Sequence, residues 1–140
     1  MTAANGVPGG TIHETRAWIL DHCVGPLGIG TLIVRPKRHV VHVADLEPDE
    51  ATELGPLLRH AATVVTELVE PAQVYVTLWS HAGGEPGHIH FVVQPVTQGQ
   101  VDEFGMYGPA LQLEMFSRKV APDPSEMAVF ADRARAVWPA

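Results

Sequence analysis

Apolar residues recur at intervals of three and four along residues 48–70, at Ala51, Leu54, Leu58, Ala61, Val65 and Leu68. That is the period of a helix burying one stripe. Pro48 suits a first helical position, where its missing N–H does no harm, and Asp49 and Glu50 favour the positive end of the helix dipole. Gly55-Pro56 predicts a kink within the helix, and Pro71 a stop after Glu70. Elsewhere the apolar runs are short. Residues 16–21 (RAWILD), Thr31–Val34, Val40–Val43, Val74–Leu78 and 88–93 read as strands. Between the first two, CVGPLGIG (23–30) carries three glycines and a proline, the chemistry of turns. From residue 16 the order is strand, strand, strand, helix, strand, loop, strand. This is an α+β pattern with a largely antiparallel sheet.

The last 40 residues pattern less sharply. Residues 96–109 read as a long loop, and Ala110–Val120 as a candidate helix. Asp123-Pro124-Ser125-Glu126 fits a helix start, with Asp123 as cap and Glu126 reaching back. Met127, Phe130, Ala134 and Val137 follow as an apolar stripe, to be packed on the sheet or on a second subunit. Trp138 is a large apolar group to leave in water and is expected to pack. Residues 1–10 read as a flexible tail, and 11–140 as one domain with 97–140 as a C-terminal extension.

A chain of 140 residues fits a single core, and a hydrophobic content of 46% makes it globular rather than disordered. The net charge of −7 argues against nonspecific binding to nucleic acid or to an anionic membrane. The local exception is Arg35, Lys37 and Arg38, either a solvated strand end or an anion-facing edge. Cys23 is the one cysteine, so no internal disulfide forms, and a reducing, cytoplasmic setting is the expectation. The first residues carry no basic and apolar leader pattern, and no run approaches 18 apolar residues.

The candidate chemistry lies in GHIHFVVQP, residues 87–95. His88 and His90 stand two apart, so a strand puts both imidazoles on one face. The preceding HAGGEPG (81–87) suits a tight loop whose backbone amides approach a ligand, most naturally a phosphate. The alternative is a pair of half-buried histidines bonded to their neighbours.

These stretches resemble the histidine triad (HIT) superfamily, whose signature is three histidines alternating with apolar residues. Here it stands as His88-Ile89-His90-Phe91-Val92-Val93-Gln94-Pro95. TLIVRPKRHV (31–40) resembles the family's strand ending in Pro-Lys-Arg/Lys-His, and DLEPDEATELGPLL (45–58) the helix after it. The resemblance covers roughly residues 16–96. It implies a compact α+β subunit that pairs into a homodimer, takes a nucleoside phosphate or dinucleotide, and needs no metal or other cofactor. It also implies attack on the nucleoside-proximal phosphorus by the middle histidine, His90, through a nucleotidyl-histidine intermediate, with His88 and His39 beside it. Asp21 matches an acidic position that contacts the ribose, and Gly83, Gly84, Glu85, Gly87 and Gln94 complete the expected nucleotide-binding set. The imidazole suits this work, because an unprotonated nitrogen is available at neutral pH, and a covalent intermediate splits one hard displacement into two easier ones.

The chain departs from the pattern at several positions. Val92 holds the third triad position, and Gln94 stands two residues beyond it on the same strand face. Thr77 replaces an asparagine, Glu85 a small hydroxyl residue, and Thr31 a histidine. Two other readings therefore stay open. One is a binding module that holds nucleotides without turnover. The other is a divalent-metal protein using His81, His88 and His90, although the helical stripe at 48–70 argues against a cupin-like barrel. Trp79, just before the loop, is expected in the core, with stacking on a base as the alternative.

Overall fold

A computed structural model describes residues 6–139. The expected flexible tail falls partly outside it, at residues 1–5. Residues 6–9 form turns, with the Gly10 N–H donating to the Val7 carbonyl. The strands are β1 (Thr11–Glu14), β2 (Trp18–His22), β3 (Leu32–Pro36), β4 (Gln73–Thr77), β5 (His81–Ala82), β6 (Glu85–Pro86) and β7 (Phe91–Val96). The helices are α1 (Pro48–Val69), α2 (Gln98–Phe104), α3 (Pro109–Arg118) and α4 (Pro124–Val137). Five strands form one antiparallel sheet in the order β1-β2-β3-β7-β4, and β5 and β6 form a separate hairpin. The α+β class and its antiparallel sheet are as the sequence predicts. Among the described residues no helix is long and apolar enough to cross a membrane.

Strand alternation sorts the core into two layers. Trp18, Leu20, Leu32, Val34 and Val93 point to one face, where α1 covers them with Leu57, Ala61, Val64 and Val65. There α4 adds Phe130, Ala131 and Ala134, so the stripe at 127–137 packs on the sheet. Each fully buried Val, Leu or Phe among them contributes roughly 1.5–3 kcal/mol. Trp18 is fully buried, and its indole N–H donates to the Glu50 carbonyl at 2.9 Å, tying β2 to the first turn of α1. Glu47 and Glu50 cap that turn reciprocally. Two hydrogen bonds from Arg38 hold the Glu50 carboxyl below its usual range. The helix runs on through Pro56 and ends at Glu70, whose φ is 53°. The opposite face of the sheet carries a smaller cluster of Cys23, Leu27, Val96, Leu111 and Met115, with Tyr75 and Val92 against it. Here α2 and α3 replace α1.

Four local expectations need correction. Residues 40–43 are not a strand; a 3-10 turn covers Val43–Asp45, because the backbone after Pro36 leaves the sheet. β1 precedes the first expected strand and pairs with β2 through a register shift between Thr11 and His13. The stretch 96–109 holds α2, started by Thr97 and Gln100 in a reciprocal cap. The expected strand 88–93 joins the ladder only from Phe91.

The candidate histidine site

The site forms where β7 begins. Thr77 pairs with Val92, and Val34 with Phe91, so residues 88–90 lie just beyond the last rung on either side. The Ile89 N–H donates instead to the Val40 carbonyl at 2.8 Å, and Ile89 is fully buried. That anchor turns His88 and His90 to the same side. His88 uses both ring nitrogens. Its Nδ1 accepts the Val40 N–H at 3.1 Å, so the proton sits on Nε2, which donates to the Pro36 carbonyl at 3.0 Å. One neutral tautomer is fixed. The exposed His39 ring stacks on it, with centroids 5.1 Å apart and planes 13° off parallel.

His90 is oriented differently. Its Nδ1 lies 3.4 Å from the His88 carbonyl. Only an N–H faces a carbonyl favourably, so this long contact places the proton on Nδ1 and leaves the Nε2 lone pair free.

The expected phosphate loop is a tight hairpin. Gly83 and Gly84 have φ of 62° and 86°, as a two-residue type I′ turn requires. His81 pairs with Pro86, Ala82 with Glu85, and the Gly87 N–H donates to the Ser80 carbonyl. Part of its backbone is therefore committed to the hairpin, and Glu85 is exposed.

Two expected binding residues have other partners. Gln94 is fully buried under α3. Its amide oxygen accepts from Gln112 at 3.0 Å, and its Nε2 lies 3.3 Å from the Met115 sulfur and 3.4 Å from the Leu27 carbonyl. The Asp21 side chain is 2% exposed, and both its oxygens accept from Arg35, at 2.8 and 3.0 Å. The site thus brings His88, His90 and His39 together and leaves Gln94 in the core. Sequence reading missed Arg35 and Gln112 as partners; cross-strand register and helix packing create these pairs. Trp79 is not in the core. It is 48% exposed, tilted against Phe116 of α3 with ring centroids 5.3 Å apart.

On the opposite face of the sheet, against Phe130 of α4, His22 is buried and holds the glycine-rich turn closed. Its Nδ1–H donates to the Cys23 carbonyl at 2.8 Å, and its Nε2 accepts the Gly30 N–H at 2.9 Å. Burial, chiefly, lowers its pKa. Burial raises that of the Cys23 thiol. Among the described residues no group of three His, Cys, Asp or Glu side chains is placed to hold a metal ion, and His88 has no nitrogen left for one.

The fold is similar to that of several solved structures. A hypothetical histidine triad nucleotide-binding protein from Sulfolobus tokodaii is 18% identical, with a TM-score of 0.69 over 94% of this chain and 85% of that one. A Hit-like protein involved in cell-cycle regulation from Bartonella henselae is 16% identical, with a TM-score of 0.67 over 94% and 88%. A zinc-bound histidine triad family protein from Mycobacterium smegmatis is 19% identical, with a TM-score of 0.63 over 90% and 83%. No protein-family model matches the sequence, and no curated protein matches it.

Proposed function

We infer that this chain, which has the histidine-triad fold, binds a nucleoside phosphate and transfers its nucleotidyl group through His90. The observation that carries this reading is the orientation of His90, with Nδ1–H on the His88 carbonyl and Nε2 free. The Nε2 lone pair attacks the phosphorus next to the nucleoside. The bond from that phosphorus to the leaving group breaks, and the leaving group takes the electron pair. Water or another acceptor then attacks the same phosphorus, breaking the N–P bond and restoring His90. Such displacement needs positioning and charge stabilisation more than strong acid or base. His88, pinned at both nitrogens, sets the position of the carbonyl that orients His90. The same reading makes the chain a homodimer. Its support is β4, an edge strand of the sheet with Val76 45% exposed.

A binding-only role is the second reading, favoured by Val92, which offers the site no polar group. Phosphorus NMR of wild type and His90→Ala separates the two. The panel is a nucleoside phosphoramidate, a dinucleoside polyphosphate, a nucleotide sugar and a nucleoside diphosphate. Release of nucleoside monophosphate by wild type alone is expected. Binding without turnover by both proteins would move the assignment to the binding module.

A further inference from the structure

Arg35 and Asp21 form a largely buried ion pair on the face of the sheet opposite α1. Asp21 pairs with Ile33, and Ile33 with Val92, so all three share the face to which His90 belongs by alternation. Val34 pairs with Phe91 in the last rung between β3 and β7. The next positions outward are Arg35 and His90. Arg35 thus stands on β3 between β2, which carries Asp21, and β7, which His90 precedes. The Arg35 side chain is 18% exposed. Its two bonds to Asp21 use one N–H from each terminal nitrogen, and a guanidinium has five. No other hydrogen bond from it occurs among the described residues.

A buried ion pair is a poor stabilising device in itself, since two well-packed apolar residues commonly do as well. Its placement suits another task. The neighbouring groups offer a phosphate few free donors: both His88 nitrogens are bonded to backbone groups, position 92 is valine, and the exposed Glu85 carries a carboxyl group. We propose that Arg35 is the phosphate-binding cation of this site. Its free N–H groups donate to the non-bridging oxygens of the phosphoryl group that His90 attacks. Asp21 acts as a positioning residue that holds the guanidinium, in place of a contact to the sugar. Arg35 stays protonated throughout; it meets charge on the phosphoryl oxygens while the N–P bond forms and the leaving-group bond breaks. The planar fork recognises phosphate at two points, which a lysine cannot copy.

The proposal rests on the nucleotidyl-transfer reading, and the test separates the two. Turnover of a nucleoside phosphoramidate is measured for wild type, His90→Ala, Arg35→Gln, Arg35→Ala, Arg35→Lys and the double variant Asp21→Asn/Arg35→Gln. Arg35→Gln is expected to lower kcat by about 10²–10³, the usual loss for one preorganised donor. Arg35→Lys stays well below wild type, and added guanidinium restores part of the Arg35→Ala activity. The double variant leaves no unpaired buried charge, so it keeps the fold even where a single variant does not, and it is expected to be as slow as Arg35→Gln. Wild-type kcat in the double variant would reduce the pair to a structural role and overturn the proposal, with the His90 reading intact. Should wild type turn over no substrate, the reading fails on its own, and Arg35 is judged by binding. Inorganic phosphate, followed by phosphorus NMR, must then bind wild type about tenfold more tightly than the double variant. Equal affinity, or none in wild type, overturns the proposal.

Discussion

A buried histidine that spends one nitrogen as donor and the other as acceptor has no place for a second proton. His22 is such a residue. Its Nε2 accepts the Gly30 N–H, and burial lowers its pKa. The unfolded chain therefore binds this proton more readily than the folded one. The stabilisation is complete above the ordinary histidine range, near pH 6.5, and is lost as pH falls from there through the lowered folded value. The expected result is a melting temperature that declines below about pH 6.5. His22→Gln should lose about 1–3 kcal/mol at pH 7.5, the cost of a disturbed buried hydrogen bond, and show a shallower acid slope. An unchanged slope would remove His22 as the source. His13, part-buried against Trp138 and near His60, is shifted in the same direction, chiefly by burial, and adds to the slope in the same sense. The sequence makes His88 and His90 readable, because a spacing of two is local information. It does not reveal that Asp21 and Arg35, 14 positions apart, are held against each other, because only the β2–β3 register decides that.

Between elements, the most consequential joint is the amide pair under α3. Gln94 lies on β7 and Gln112 on α3, and both are buried. Replacing Gln94 by leucine strands the Gln112 amide in an apolar layer and should cost about 1–3 kcal/mol by urea denaturation. Replacing both by leucine should cost less than the two single losses added together. Simple additivity in that double-mutant cycle would show that the pair is not coupled. From sequence, Gln94 enters the nucleotide-binding set through the resemblance, as a glutamine two residues beyond the third triad position on the same strand face. In the structure α3 settles over that part of the face and engages the Gln94 amide. The missed α2 had a local signal: Thr97 three residues before Gln100 is the capping pattern that starts it. The misread strand at 40–43 has apolar β-branched residues, but its backbone follows the turn after Pro36, and tertiary context outweighs propensity there.

At the scale of the whole molecule, the sheet has two unlike edges. β1 is crossed at its outer side by Arg135 of α4, which donates to the Gly9 and Thr11 carbonyls. Among the described residues β4 has only β7 as a neighbour in the sheet. An unpaired edge is a template for another strand, and this underlies the proposed homodimer. Sedimentation velocity at micromolar concentration should give the mass of two chains, and a proline placed at Val76 should halve it. A single-chain mass for wild type would defeat the proposal. The fold class and the long helix are readable from periodicity alone, whereas the strand order, with β7 inserted between β3 and β4, is a property of the assembled sheet. One consequence of α4 concerns how the chain comes to be folded. Synthesis proceeds from the N-terminus at roughly 5–20 residues per second, so every strand leaves the ribosome before Phe130, Ala131 and Ala134 do. A sheet formed before that point has the part of its apolar face that α4 covers open to water. During synthesis, closing that apolar face falls to α4, the last of the described elements to emerge.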